Sequence, residues 1–129
     1  MPLSIVPVYG ALLALAYVAL TLRVIRFRFK ARVSLGTGGD RGLERRIRVH
    51  GNFAEYVPLS LLLIAFVETQ GQPAWVIHLL CLLLIGGRVA HAYALSVGNQ
   101  RLRAAGMAMT FTVLVAAASA LLRGVFLPS

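Results

Sequence analysis

The chain has 129 residues, 59% of them hydrophobic and 13% charged, and its mean hydropathy is +0.81. Soluble domains carry about 45–50% apolar and about 25% charged residues, so an ordinary soluble domain and a disordered chain are both excluded. A single domain of this length cannot bury so much apolar surface inside itself in water. Lipid as the solvent resolves the excess.

Leu3 to Leu22 is an unbroken run without a charge. Five basic residues follow it: Arg23, Arg26, Arg28, Lys30 and Arg32. A cleaved signal peptide would carry its positive charge before the apolar run, so the run reads as a span. Arg23 to Arg48 is the only long polar stretch, with Gly36-Thr37-Gly38-Gly39-Asp40 as its flexible centre. Arg41 to Arg48 predicts a helix running straight into the second span. Val49 to Val67 carries a single charge, Glu55. Gly71-Gln72-Pro73 predicts a tight turn, with proline opening the third span. Thr69 to Gly87 has no charge, and Val89 to Gln100 extends the uncharged run beyond Arg88. Gly98-Asn99-Gln100 closes that span. Ala104 to Leu122 is again uncharged throughout.

A membrane-spanning helix needs about 20 mostly apolar residues, and each of these runs is near that length. The sequence therefore predicts an all-α integral membrane protein. It would be a four-transmembrane-helix bundle in a single domain, 1–129, with spans at about 3–23, 50–68, 73–97 and 104–122. Small residues recur every four positions at Gly86, Ala90 and Ala94 and at Gly10 and Ala14, a spacing that lets helices approach closely in lipid.

A net charge of +9 in a soluble protein would suggest nucleic acid, but the distribution gives another answer. Nine of the 13 basic residues lie between Arg23 and Arg48, and Arg101 and Arg103 sit between spans three and four. The loop after span two carries Glu68 and no Lys or Arg. By the positive-inside rule both basic loops, including the one over about 24–49, are cytoplasmic and both termini face the other side. Anionic membrane lipids account for part of this basic surface, and no nucleic-acid partner is expected. Cys81 is the only cysteine, so no intrachain disulfide is possible, and its apolar surroundings make it a packing residue.

The segment from Glu44 to Pro58 carries the chemistry. At about 3.6 residues per turn Arg41, Arg45, Arg48, Asn52 and Glu55 share one helix face. That polar face descends from the cytoplasmic edge into the membrane, where ionisable groups face a protein interior or a water-filled cavity. Glu55 therefore needs a partner, and Arg88, at similar depth in span three, is the expected one. His91 lies on the same face as Arg88. A structural Glu55–Arg88 pair would fix helix register but leaves Arg48 and Asn52 unexplained. A strip with both charge signs and an amide suits a zwitterionic, peptide-like ligand. His50 reads as a solvated histidine at a loop end, His78 and Trp75 as interfacial, Tyr56 as pointing away from the face of Glu55, and Tyr93 as packing. No metal-ligand cluster, nucleophile elbow, phosphate loop or redox cysteine pair is present.

Arg48-x-x-x-Asn52-x-x-Glu55-x-x-Pro58 opening span two resembles the MAPEG superfamily, the membrane-associated proteins in eicosanoid and glutathione metabolism. So do the four short spans, the basic first loop, Arg88-Val-Ala-His91, and Arg101-x-Arg103 before span four. The superfamily includes microsomal glutathione transferases, leukotriene C synthase and microsomal prostaglandin E synthase. The resemblance implies a homotrimer of four-helix subunits with glutathione, as co-substrate, bound between subunits near the cytoplasmic face. It implies that Glu55 accepts from the amino or amide groups of glutathione and Asn52 bonds its amides. Arg48 and Arg88, with His91 beside them, would hold its carboxylates or backbone. An arginine at the start of span four would stabilise the thiolate, with Arg103 the first choice and Arg101 the second.

Three departures from eukaryotic members stand out: Gly51 where arginine precedes the asparagine, Leu95 where a tyrosine follows the span-three arginine, and Pro58 three rather than four residues after the glutamate. The chain thus resembles a short bacterial branch, placed in a bacterial inner membrane with its active site facing the cytoplasm. The implied activity is a transferase or peroxidase acting on lipophilic small molecules. A non-catalytic membrane scaffold is the alternative. A small multidrug transporter fits less well, because such proteins depend on a carboxylate in span one and here there is none.

Overall fold

In a computed structural model, residues 2–127 are described and form four helices: α1 (Val6–Ala31), α2 (Arg41–Thr69), α3 (Ala74–Val97) and α4 (Gln100–Phe126). There is no strand among the described residues. All four helices are long and apolar enough to cross a membrane.

Local chemistry sets each boundary. Pro7 sits in the first turn of α1, where its missing N–H costs nothing. Among the described residues no preceding side chain caps α1. Instead the Glu68 carboxylate, at the far end of α2, accepts hydrogen bonds from the backbone N–H groups of Ser4 (3.0 Å), Ile5 (2.9 Å) and Val6 (3.2 Å). An anion against a helix N-terminus satisfies the orphan donors and the macrodipole together. Glu68, which the sequence suggests is a loop residue, is thus a buried cap tying α1 to α2.

The α1 helix continues to Ala31, well past the expected end of the first span, because the arginine-rich stretch is polar yet a good helix former. It stops at Arg32, which takes the left-handed conformation with φ 57° and ψ 42°. As the sequence predicts, α2 begins at Arg41 and runs without a break into the second span, with the Asp40 side chain accepting from the Leu43 N–H at 3.0 Å. Pro58 lies inside it and removes one backbone donor without ending it. Gly71, at φ 80°, makes the α2–α3 turn, and Gly98, at φ 72°, ends α3. Asn99 then caps α4, accepting from the Leu102 N–H at 3.0 Å. The fourth helix therefore starts at Gln100, so Arg101 and Arg103 lie in its first turn.

The core runs between α2, α3 and α4, around Val57, Ile64, Ile77, Leu84, Val113 and Ala117. Cys81 is fully buried within it, as expected of a packing residue. The tightest glycine contact against backbone is between α3 and α4. A Cβ on Gly106 would come within 2.7 Å of the Gly87 carbonyl oxygen and 2.8 Å of the His91 nitrogen. By contrast α1 buries only Val6 and Leu13 fully and turns Leu12, Leu15 and Val18 outward. Such a helix is stable in hydrocarbon and would not be in water.

Candidate functional site

Arg88 is the centre of a polar cluster inside the bundle. It projects from α3 and is 6% exposed. Its Nη1 donates to Asn52 Oδ1 of α2, and its Nη2 donates to Thr110 Oγ1 of α4 at 2.7 Å and touches Met107 Sδ at 3.4 Å. Thr110 in turn donates to the Gly106 carbonyl at 3.2 Å. The Tyr56 ring lies 5.9 Å from the guanidinium carbon, close enough for a cation–π contact. One side chain therefore links three helices. Arg88 Nε is buried without a partner, the only such side-chain atom among the described residues.

The expected Glu55–Arg88 pair does not form. Glu55 meets Arg48 instead, Oε1 to Nη1 at 4.0 Å, with both side chains about half exposed. Helix geometry gives the reason. At about 100° per residue Arg48 and Glu55, seven apart, are nearly eclipsed, whereas Asn52 is turned about 40–60° away from both. The face that looks uniform in sequence is split, with the neutral amide turned into the bundle and the two charges on its outer edge. Burying an amide that finds a donor is far cheaper than burying a carboxylate.

The remaining predicted residues are divided between the bundle interior and its basic end. His91 is buried one turn from Arg88, and the charges of Arg88, Arg103 and Arg48 all act on its ring. Arg103 is half-buried and lines a cavity of about 230 Å³ at the basic end, together with Arg41, Arg45, Glu44 and Asn99. Arg101 is exposed and does not line it. Among the described residues no group of His, Cys, Asp or Glu is placed to hold a metal ion.

His50 is not the solvated histidine expected from its position. Its Nε2 is 2.9 Å from Thr21 Oγ1, and its ring stacks on Tyr17, which stacks in turn on Phe53. Nothing in the local sequence signals this cross-helix contact. Trp75 and His78 are exposed, as interfacial residues are, and His78 Nδ1 is 2.8 Å from the Tyr9 hydroxyl. Tyr93 is exposed rather than packed. Tyr56 packs edge-on against Phe111 of α4.

Four apolar helices around a buried arginine–amide cluster define a polytopic integral membrane protein. The sequence pattern of the MAPEG family matches residues 6–123, and the chain belongs to that family. It is 36% identical over 107 residues to "Inner membrane protein YecN" of Escherichia coli strain K12, an alignment covering 83% of this chain and 82% of the relative. The protein of the same name from Escherichia coli O6:H1 matches to the same extent. No solved structure matches the chain significantly.

Proposed function

We propose that this protein is a bacterial inner-membrane glutathione-dependent transferase or peroxidase, acting on lipophilic electrophiles from the cytoplasmic face as a homotrimer. The observation that carries this reading is the half-exposed Arg48–Glu55 pair beside the buried Arg88–Asn52 bond. Ionisable groups at membrane depth are expensive unless something covers them. Glutathione carries an ammonium and two carboxylates on a peptide backbone. Glu55 can accept from its amino group, and Arg48 can take a carboxylate. Behind them the buried Arg88–Asn52 bond adds fixed positive charge to the inner wall of the site.

Arg103 supplies the chemistry. A free thiol has a pKa near ~8.5, so little of it is thiolate at neutral pH. Lowering that value to about 6.5 takes ~2.7 kcal/mol of preferential stabilisation of the anion. A guanidinium within hydrogen-bond reach in a low-dielectric cleft is able to supply it. The thiol proton leaves to water, and the sulfur lone pair then forms the new bond to the electrophilic atom as the leaving group departs with its bonding pair. The protein contributes proximity and fixed charge.

Calorimetry of glutathione against the purified protein in mild detergent tests this reading. Wild type should bind at millimolar or tighter affinity, and Glu55→Gln should weaken binding about tenfold or more without loss of folding. No heat from wild type, or equal binding by Glu55→Gln, would overturn it.

A further inference from the structure

A second cavity lies away from the polar cluster, where α1 ends. It holds about 390 Å³ and is lined by Ile25, Arg28, Phe29, Arg32, Val33 and Ser34. Ile25, Arg28, Phe29 and Arg32 follow the i, i+3, i+4, i+7 spacing and so share one face. Three observations converge on this pocket.

The first is its double character. Ile25, Phe29 and Val33 are apolar, and Phe29 and nearby Leu35 are 80% and 87% exposed. Two arginines stand among them, and no Asp or Glu precedes Asp40 in the chain. The second is the backbone at Arg32. A residue in this left-handed position at a helix end is usually glycine, and a side chain there is disfavoured. The chain nevertheless places an arginine there, at φ 57°, and the Arg32 side chain has no hydrogen bond or ion pair to any described residue. The third is that Arg28 is held in place, its Nη1 donating to the carbonyls of Gly36 at 2.8 Å and Val33 at 3.4 Å.

The pocket begins just after the apolar run ends at Leu22. At about 1.5 Å per residue this puts it ~5–15 Å beyond the hydrocarbon edge, the depth of lipid head groups. We propose that it binds one anionic phospholipid. The phosphate sits between Arg28 and Arg32 with the Ser34 hydroxyl as donor, and the first acyl methylenes lie along Ile25 and Phe29. Charge complementarity selects the anionic lipid over a zwitterionic one, and the apolar wall selects a lipid over a free anion.

Native mass spectrometry of the full chain in mild detergent tests this, using phosphatidylglycerol and phosphatidylcholine of identical acyl chains. Wild type should retain the glycerol lipid about tenfold more than the choline lipid. Arg32→Gly removes the cation while suiting the left-handed backbone. It should cut that retention about fivefold and leave the thermal midpoint unchanged or raised. Arg32→Asn, also tolerant of this conformation, should lose as much. Lys30→Gln removes an equal charge from outside the pocket and should retain lipid as wild type does. The proposal fails if both lipids are retained equally, or if Arg32→Gly changes nothing. It also fails if Lys30→Gln loses as much as Arg32→Gly, since the attraction is then diffuse. Displacement of the lipid by millimolar inorganic phosphate would reveal a site for free anions and overturn it too.

Discussion

At Arg88 the bundle holds a guanidinium without a carboxylate. Its neighbours are an amide, a hydroxyl, a thioether and an aromatic face, so the positive charge is solvated but not neutralised. Hydrogen bonds to charged groups are worth about 1.5–3 kcal/mol. Asn52→Ala should therefore lower stability by about 2 kcal/mol, read from thermal unfolding in detergent. Pairing it with Arg88→Met should recover part of the loss, because the orphaned charge is then gone. That Arg48, Asn52 and Glu55 form a polar strip on α2 was legible in the sequence. How they divide was not, since a helical wheel resolves faces only coarsely and here a modest rotation about the axis separates inside from outside. The sequence leaves Arg103 as first and Arg101 as second choice for the thiolate. Two residues apart on a helix they diverge widely, and only Arg103 reaches the cavity. Arg103→Leu should hold glutathione binding to within about tenfold, or ~1.4 kcal/mol, yet abolish the ultraviolet thiolate signal at neutral pH. Arg101→Leu should leave that signal intact. The reverse pattern would exchange their roles, and no effect from either would remove arginine activation from the mechanism.

At the scale of the helices, the contact that sets the site's geometry is α3 against α4. Gly87 and Gly106 bring the two backbones together, so that Arg88 and His91 on one helix meet Thr110 and Gly106 on the other. A Cβ at Gly106 has only backbone to displace, and backbone does not yield cheaply. Gly106→Ala should cost about 2–3 kcal/mol by overpacking and should weaken any ligand held across α3 and α4. Gly10→Ala, with no atom within 4 Å of the added carbon, is the matched control and should be neutral or slightly stabilising in the subunit. Parallel thermal melts of the two variants decide this. The spans, the glycine turns and the helical lead into α2 were legible, because hydropathy and left-handed glycines are local signals. The α1 extension past Arg23 was hidden, since charge reads as loop even where propensity favours helix. The partner of Gly106 and the Glu68 cap were hidden as well, because both depend on which helices become neighbours.

At the scale of the whole molecule, the proposed trimer rests on surfaces that one subunit leaves uncovered. Its α1 helix buries little of its own surface, and the Arg48–Glu55 pair opens outward from α2. Glu55 lies about 21 Å along α2 from Arg41, well inside the second apolar run. A charged group at the centre of a span costs about 2.5–3.5 kcal/mol by insertion scales. Three sites of this kind, each facing lipid in a separate monomer, would be a standing penalty that association removes by covering them. A second copy brings its own apolar α1 face, so closure can bury hydrocarbon-compatible surface and enclose the polar strip at once. Closing each cleft with the next subunit in a ring requires a cyclic arrangement, and the family resemblance favours three. Native mass spectrometry in mild detergent should therefore give a trimer as the main species. Glu55→Leu together with Arg48→Leu should weaken the dependence of thermal stability on assembly, because the exposed charges that drive closure are gone. A wild-type protein that remains monomeric at micromolar concentration while still binding glutathione would place the whole site within one subunit and defeat the trimer.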